Sequence, residues 1–404
     1  MNTDRHSGRR WFYLALGDVV LLFSGIIYAW SILKAPLAVA FGWSAAQLSV
    51  NYTLTMSFFC LGGIAGSAIG RRTGPRWVMA LAAVLACGGL TAAARITGSS
   101  IAALYLSYGV CCSLGIGMAY NAILATVCAW FPGRVGLSSG CLMMGFGAST
   151  LVVGSAAEVM ISAPGWGWRM AYTVLGAALG VMLLLAALLL RRPAEGGQPS
   201  AQSAPAGAGR TPGQMLRTPS FWLSFFYVML LAAAGSTVIA FARDISLSVG
   251  MGAPLAAALV GILSVCNGLG RVITGAAIDA FGEKRVMLTA NFVTIGAVIL
   301  LLAAVRQGSA PLCAAGLCLT GLAFGANPSL SATLVAAFYG PRYYSANLSL
   351  MGLNLLGTAG MASAAGVILT AAGSYAAPLT LLLGLALVGL ALDLLLWRVR
   401  KREN

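Results

Sequence analysis

Charge is what this chain has least of. Of its 404 residues only 8% are Asp, Glu, Lys or Arg, against roughly 25% in soluble globular domains. There are nine acidic residues and one histidine, His6 in the N-terminal tail. That scarcity excludes a soluble globular enzyme, and it leaves little material for a histidine-based metal site or a carboxylate-rich catalytic centre. No HExxH, GxSxG or GxxxxGK[ST] motif occurs. Metalloprotease, serine-hydrolase and ATP-driven pump chemistry therefore have no residues to work with. The nine cysteines all fall in apolar runs without a CxxC spacing, so they read as small buried hydrophobes rather than metal ligands or disulfides. Neither a cofactor nor a metal is expected.

What is present in quantity is apolar surface: 59% of the chain is hydrophobic and the mean hydropathy is +0.90. A membrane-spanning helix needs about 20 mostly apolar residues. Twelve such runs occur, near 11–33, 46–70, 77–96, 100–131, 135–162, 168–190, 220–243, 253–279, 285–305, 310–338, 344–372 and 375–397. The first run is too long for a signal peptide and lacks a small-residue cleavage site, so it reads as a true span. The expected fold is an all-α membrane protein of twelve transmembrane helices in two six-helix halves.

A net charge of +15 suggests nucleic acid in a soluble protein, but here its distribution is topological. With both termini placed in the cytoplasm, 18 of the 24 basic residues fall at inner ends. Lys34, Arg95, Arg169, Arg243 and Arg306 fall at outer ends, and Arg271 lies inside a run. This is the positive-inside pattern. It predicts a multi-pass protein of the inner or plasma membrane with cytoplasmic termini and no nucleic-acid partner.

Residues 191–219 form the longest polar stretch, rich in Pro, Gly, Ala, Ser and Gln, a composition that cannot bury a core. It divides the chain into halves at 1–190 and 220–404. The halves repeat one another. Gly66-Ser-Ala-Ile-Gly70-Arg-Arg-Thr-Gly74-Pro-Arg76 parallels Gly275-Ala-Ala-Ile-Asp279-Ala-Phe-Gly282-Glu-Lys-Arg285, with Gly66 to Gly275 and Arg76 to Arg285 both 209 apart. Phe131-Pro-Gly-Arg134 parallels Phe338-Tyr-Gly-Pro-Arg342, and each precedes a helix rich in Gly and Ser. Duplicated six-helix halves are an architecture of secondary transporters, which hold substrate near the bilayer midplane.

The segment from Gly275 to Arg285, with Asp279 and Gly282, resembles the cytoplasmic loop signature of the major facilitator superfamily. The first-half counterpart keeps Gly66, Gly74 and Arg76 but carries Gly70 where the acid is expected. The resemblance implies a gating role for these seven positions, with Asp279 at a helix end facing an arginine; solvated loop charges are the plainer alternative. An ordered series of further pieces is similar to the oxalate/formate antiporter family, bacterial relatives of the monocarboxylate transporters. It comprises Gly25-Ile-Ile-Tyr28-Ala-Trp30-Ser31, Phe41-Gly-Trp43-Ser44, Gly74-Pro75-Arg76, Gly115-Ile-Gly117-Met-Ala-Tyr120, Trp130-Phe131-Pro132 and Gly270-Arg271.

Arg271 is the one basic residue placed deep in a span, and a guanidinium there is costly enough to be a functional-site hypothesis by default. Its donors can grip a carboxylate bidentately, and Asn267, four residues earlier, shares its helix face. A buried pair with Asp244 or with backbone carbonyls is the structural alternative. The resemblance makes Arg271 the carboxylate-binding residue and places Tyr28, Tyr120 and Phe324 at aromatic positions of a small pocket, Phe324 just before a helix-breaking Pro328. It also marks an absence: oxalate-handling members carry a lysine in helix eleven, whereas Asn347 to Gly360 has none. One buried cation matches one negative charge, because the loaded cavity must be near neutral.

The expected function is therefore secondary-active transport of a small carboxylate anion, a monocarboxylate such as formate, lactate or pyruvate. A proton or counter-anion is the coupled partner, the lipid bilayer is the setting and a monomer is the working unit. Asp244, ending run seven, resembles the position implicated in proton coupling; pairing with Arg243 is its alternative. Asp393 is expected near the inner surface beside Arg398 or Arg400, and neither it nor Asp18 nor Glu158 receives a role. Other readings are a dicarboxylate exchanger, a drug or sugar carrier, a transporter-like sensor, and a membrane-embedded enzyme.

Overall fold

The computed structural model describes residues 2–98, 100–193 and 209–403. Among these residues regular structure is entirely helical, and eleven helices are long and apolar enough to cross a membrane. The run at 344–372 folds as Tyr344–Met351 and Asn354–Ala372 with a turn at 352–353. Residues 194–208 of the central polar stretch lie outside the described residues. Two compact units account for the chain. The first comprises Met1–Gly133, Cys141–Ala208 and Tyr343–Leu350; the second comprises Arg134–Gly140, Gly209–Arg342 and Met351–Asn404.

In the first unit the opening helix is longer than its apolar run. It begins at Asn2–Ser24, tightens to a 3-10 turn at Gly25–Ala29 and continues as Trp30–Phe41 with Pro36 inside it. A side chain at Gly25 would collide with the Phe146 carbonyl, so glycine lets the first helix meet the fifth backbone to backbone at the bend. The second helix, Ala45–Thr73, opens on a capping box in which the Ser44 hydroxyl accepts from the Gln47 amide and the Gln47 side chain accepts from the Ser44 amide. It stops at Gly74, whose φ of 84° is left-handed backbone, and Pro75 starts the third helix, Pro75–Ala94. Helices two, three and four close on one another through Gly62, Gly115 and Gly117, each pressed on a carbonyl of Leu114, Ala82 or Phe59. Such small-residue contacts replace the hydrophobic drive that lipid cannot supply.

In the second unit the seventh helix, Pro219–Ser248, is capped by the Thr218 hydroxyl. The eighth, Ala253–Phe281, ends at Gly282, where φ is 81°. Gly74 and Gly282 thus supply the same left-handed turn at equivalent points of the repeat. The tenth helix corrects one expectation: Pro328 does not break it, and Ala310–Tyr339 is continuous. A proline removes one amide from the ladder, and polar neighbours re-satisfy freed backbone groups in membrane helices. The carbonyl that loses its partner is that of Phe324; around the proline the Ser331 and Thr333 hydroxyls add bonds to the Asn327 and Ser329 carbonyls, and the Ser329 hydroxyl reaches the Arg271 carbonyl. Asp393 corrects another. It is 1% exposed, and its carboxylate accepts from Asn291 Nδ2 (3.2 Å) and Trp397 Nε1 (3.0 Å) instead of pairing with Arg398 or Arg400. Within the bilayer a carboxylate takes whatever donors its own helix and its packed neighbour present.

Candidate functional site

Arg271 sits in the eighth helix where the tenth approaches at backbone distance. A side chain at Gly270 would meet the Leu322 carbonyl, and one at Gly325 would meet the Asn267 carbonyl and the Arg271 amide. Ser329 Oγ donates to the Arg271 carbonyl at 2.8 Å. The backbone carrying Asn267 and Arg271 is therefore held rigidly, which is what a binding group needs. Arg271 is 6% exposed. Asn267 is half-buried, and its Oδ1 is shielded with no hydrogen-bond partner among the described residues. Asn327, 5% exposed on the tenth helix, also has a shielded Oδ1 without a partner. Sequence reading missed it; an asparagine directly before an in-helix proline was the available signal. Unmet buried amides of this kind are uncommon in native interiors and mark places where a ligand or water completes the bonding.

Phe324 has different surroundings. Its ring presses on Gly235 of the seventh helix and borders a cavity of 10 Å³ with Leu231, Thr294 and Thr320. That space is at the lower limit for a single water. The structure thus places Phe324 in helix packing, directly before Gly325, which abuts the Arg271 backbone.

Tyr28 and Tyr120, in the first unit, are brought together by a residue the sequence did not single out. Phe146 of the fifth run, 2% exposed, lies 5.2 Å from the Tyr28 ring and 4.9 Å from the Tyr120 ring. Phe59 closes the cluster at 5.3 Å from Tyr120 and 5.8 Å from Phe146. Both tyrosines are half-buried, so their rings are fixed while part of each remains open. Edge-on aromatic contacts at these separations contribute about 0.5–1.5 kcal/mol each beyond burial.

Asp244 is exposed near the end of the seventh helix beside exposed Arg243, with Tyr375 close to it. Asp18, in the first helix, is half-buried against Gly145, where a side chain would strike its carboxylate. Its Oδ1 is shielded and has no hydrogen-bond partner among the described residues.

The repeated loop signatures are built differently in the two units. In the second unit Asp279 faces the start of helix Val135–Ser149: Oδ1 accepts from the Gly136 amide at 3.0 Å and Oδ2 from the Leu137 amide at 2.8 Å. Its partners are backbone amides rather than the arginine that the resemblance suggested. First-turn amides have no intrahelical acceptor, and the helix dipole favours an anion there. Gly136 and Gly275 make the approach possible, since a side chain on either would run into the other's carbonyl, and Gly140 is pressed on the Arg271 carbonyl. Arg285 is exposed. In the first unit Gly66 packs on Met118 and Arg76 is exposed. With Gly70 in the acid's place, the contact one turn earlier is neutral: Ser67 Oγ lies 2.6 Å from Ser345 Oγ and 3.3 Å from Ser349 Oγ.

An oxalate:formate antiporter of Oxalobacter formigenes is 27% identical over 281 residues, covering 69% of this chain and 66% of that protein, a little under two thirds of its length. An uncharacterized MFS-type transporter, YhjX of Escherichia coli, is 24% identical over 84% of this chain and 83% of its own. Human monocarboxylate transporter 11 is 32% identical over a shorter stretch, 35% of this chain and 30% of that protein. Among solved structures, the proton:xylose symporter XylE superposes with a TM-score of 0.77 at 14% identity, over 97% of this chain and 96% of that one. The fucose transporter FucP in its outward conformation superposes with a TM-score of 0.73 at 14% identity, over 96% and 99%. The family model of the Major Facilitator Superfamily matches residues 14–242, more than half of the chain. With eleven apolar helices of spanning length among the described residues, a duplicated loop signature and that match, the chain belongs to the Major Facilitator Superfamily of multi-pass membrane transporters.

Proposed function

We propose that this protein carries small monocarboxylate anions across the membrane by alternating access. The observation that carries the reading is Arg271, a buried guanidinium in a span, on backbone clamped by the tenth helix, with the unmet amide oxygen of Asn267 one turn away. A carboxylate accepts two bonds from the guanidinium fork, and a hydroxyl on a lactate-like acid suits an amide acceptor. The named activities of the oxalate:formate antiporter and the monocarboxylate transporters support the carboxylate class. The family resemblance assigns Tyr28 and Tyr120 as further pocket aromatics. The 27% match to an oxalate:formate antiporter favours dicarboxylate exchange as a second reading. Against it stands the lack of a second cation between Asn347 and Gly360.

Each cycle couples to a proton or a counter-anion, with Asp244 as the candidate proton carrier. Asp279, released from the Gly136 and Leu137 amides, is the gate element, with Gly66, Gly74 and Arg76 in the counterpart that lacks the acid. The protein works as a monomer in the inner or plasma membrane, with both termini on the cytoplasmic side where basic residues gather. Proteoliposome counterflow of labelled formate, lactate and oxalate tests the whole reading. Arg271→Lys replaces the planar fork by a point donor and forfeits about one charge-assisted hydrogen bond, about 1.5–3 kcal/mol. Uptake by correctly inserted Arg271→Lys should fall roughly 10- to 100-fold. Near-normal uptake would remove Arg271 from the site.

A further inference from the structure

Five basic residues stand at outer helix ends against the general charge asymmetry, and two of them, Arg95 and Arg169, meet in one cavity of the first unit. The cavity is open, has a volume of 790 Å³, and lies where the third helix ends and the sixth begins. Thr97, Trp166, Met170 and Thr173 complete its polar and aromatic wall, and no acidic residue lines it. Arg169 spends one donor on the Ile96 carbonyl at 2.6 Å and stacks 4.4 Å over the Trp168 ring. That fixes its guanidinium and leaves other N–H groups for a ligand. Arg95, which caps the third helix through its backbone, has an exposed side chain with no protein partner among the described residues. A paired-arginine site beside a helix start is suited to a phosphate group.

The surroundings say where that phosphate comes from. The third and sixth helices pack together through Gly176 and Gly180, which rest on Leu90 and Cys87. Each helix carries an exposed stripe at helical spacing that runs into the cavity: Leu81, Val84, Gly88 and Ala92 below Arg95, and Thr173, Ala177, Val181 and Leu184 below Arg169. Val84 is 68% exposed and Val181 52%. Within spanning segments, such apolar exposure faces acyl chains. Trp166 directly precedes the sixth span, where aromatic residues are enriched at membrane interfaces.

We propose that this cavity binds the headgroup of an anionic phospholipid in the leaflet remote from the termini, with its acyl chains along the two stripes. The phosphate lies between Arg95 and Arg169, and Thr97 supplies a hydroxyl; the Thr173 hydroxyl is spent on the Arg169 carbonyl at 2.9 Å. Delipidated protein in neutral detergent is titrated with phosphatidylglycerol and with phosphatidylcholine, and retained lipid is counted by native mass spectrometry. Glycerol 3-phosphate serves as the soluble probe of the same phosphate chemistry. Wild type should retain one phosphatidylglycerol that phosphatidylcholine does not replace. Arg95→Gln should weaken it about fivefold, and Arg95→Gln/Arg169→Gln should abolish it. Lipid bound at the basic opposite ends is the same in all variants, so the readout is the difference of one. Should the double variant fail to fold, Arg95→Gln alone decides, because its side chain holds nothing within the protein. Undiminished phosphatidylglycerol retention by Arg95→Gln overturns the proposal. So does glycerol 3-phosphate binding as tightly as the lipid, which makes this a soluble-anion site.

Discussion

Removing the charge of Asp279 should loosen the start of the fifth helix in a way that can be read at two amides. In Asp279→Asn one side-chain oxygen still accepts from one of the Gly136 and Leu137 amides, but the other oxygen becomes an NH2 group, which cannot accept from the second. A hydrogen bond to a charged group contributes about 1.5–3 kcal/mol when shielded. Asp279 is exposed, so screening brings the lost bond toward the surface range of about 0–1 kcal/mol. Loss of the anion from the helix start adds about 0.3–1 kcal/mol. The sum, about 0.3–2 kcal/mol, is a factor of roughly 2–30 in a two-state equilibrium. Hydrogen exchange followed by mass spectrometry on a peptide covering 135–140 should show amides 136 and 137 exchanging faster by that factor, while the helix body beyond Gly140 is unchanged. If the contact is a latch, the initial uptake rate changes in the same variant. Unaltered exchange at both amides would show that the carboxylate holds nothing, and the gating assignment would fall with it.

Gly275→Ala directs a methyl group at the Gly136 carbonyl; overpacking of this kind costs about 1–3 kcal/mol, so the thermal unfolding midpoint should drop, and an unchanged midpoint means that the two helices are free to part. Asp244→Asn should abolish accumulation driven by an acid exterior while exchange of labelled for unlabelled substrate persists; a variant that still concentrates substrate in response to the pH gradient shows that another acid couples, with Asp18 the next to test. Wild type should prefer formate or lactate to oxalate, and Leu355→Lys should move that preference toward dianions. Oxalate transported better than formate by the unaltered protein refutes the single-cation argument.

The twelve runs and the duplicated loop signature were legible in the chain because hydropathy and repetition are local in sequence. A span must be apolar throughout its length whatever it packs against. Gly74 and Gly282, both picked out as members of the repeated signature, take the positive φ that only glycine adopts freely. Arg271 could be picked out because one guanidinium in an apolar run is anomalous on any background.

Nothing local announced the rest. Phe146 is one aromatic among many apolar residues, and it becomes the hub of Tyr28 and Tyr120 only because Gly25 lets the first helix close on the fifth. Asp279 pairs with amides more than 140 residues distant, and amides carry no sequence signature. Asp393 chose Asn291 over the nearer arginines because helix packing brought that amide to it. Arg95 and Arg169 lie 74 positions apart and share one cavity only once the third and sixth helices stand side by side. Hydropathy establishes that a segment enters the bilayer. Which face it turns to its neighbours depends on where small residues permit backbone contact, and that is settled by all the helices together.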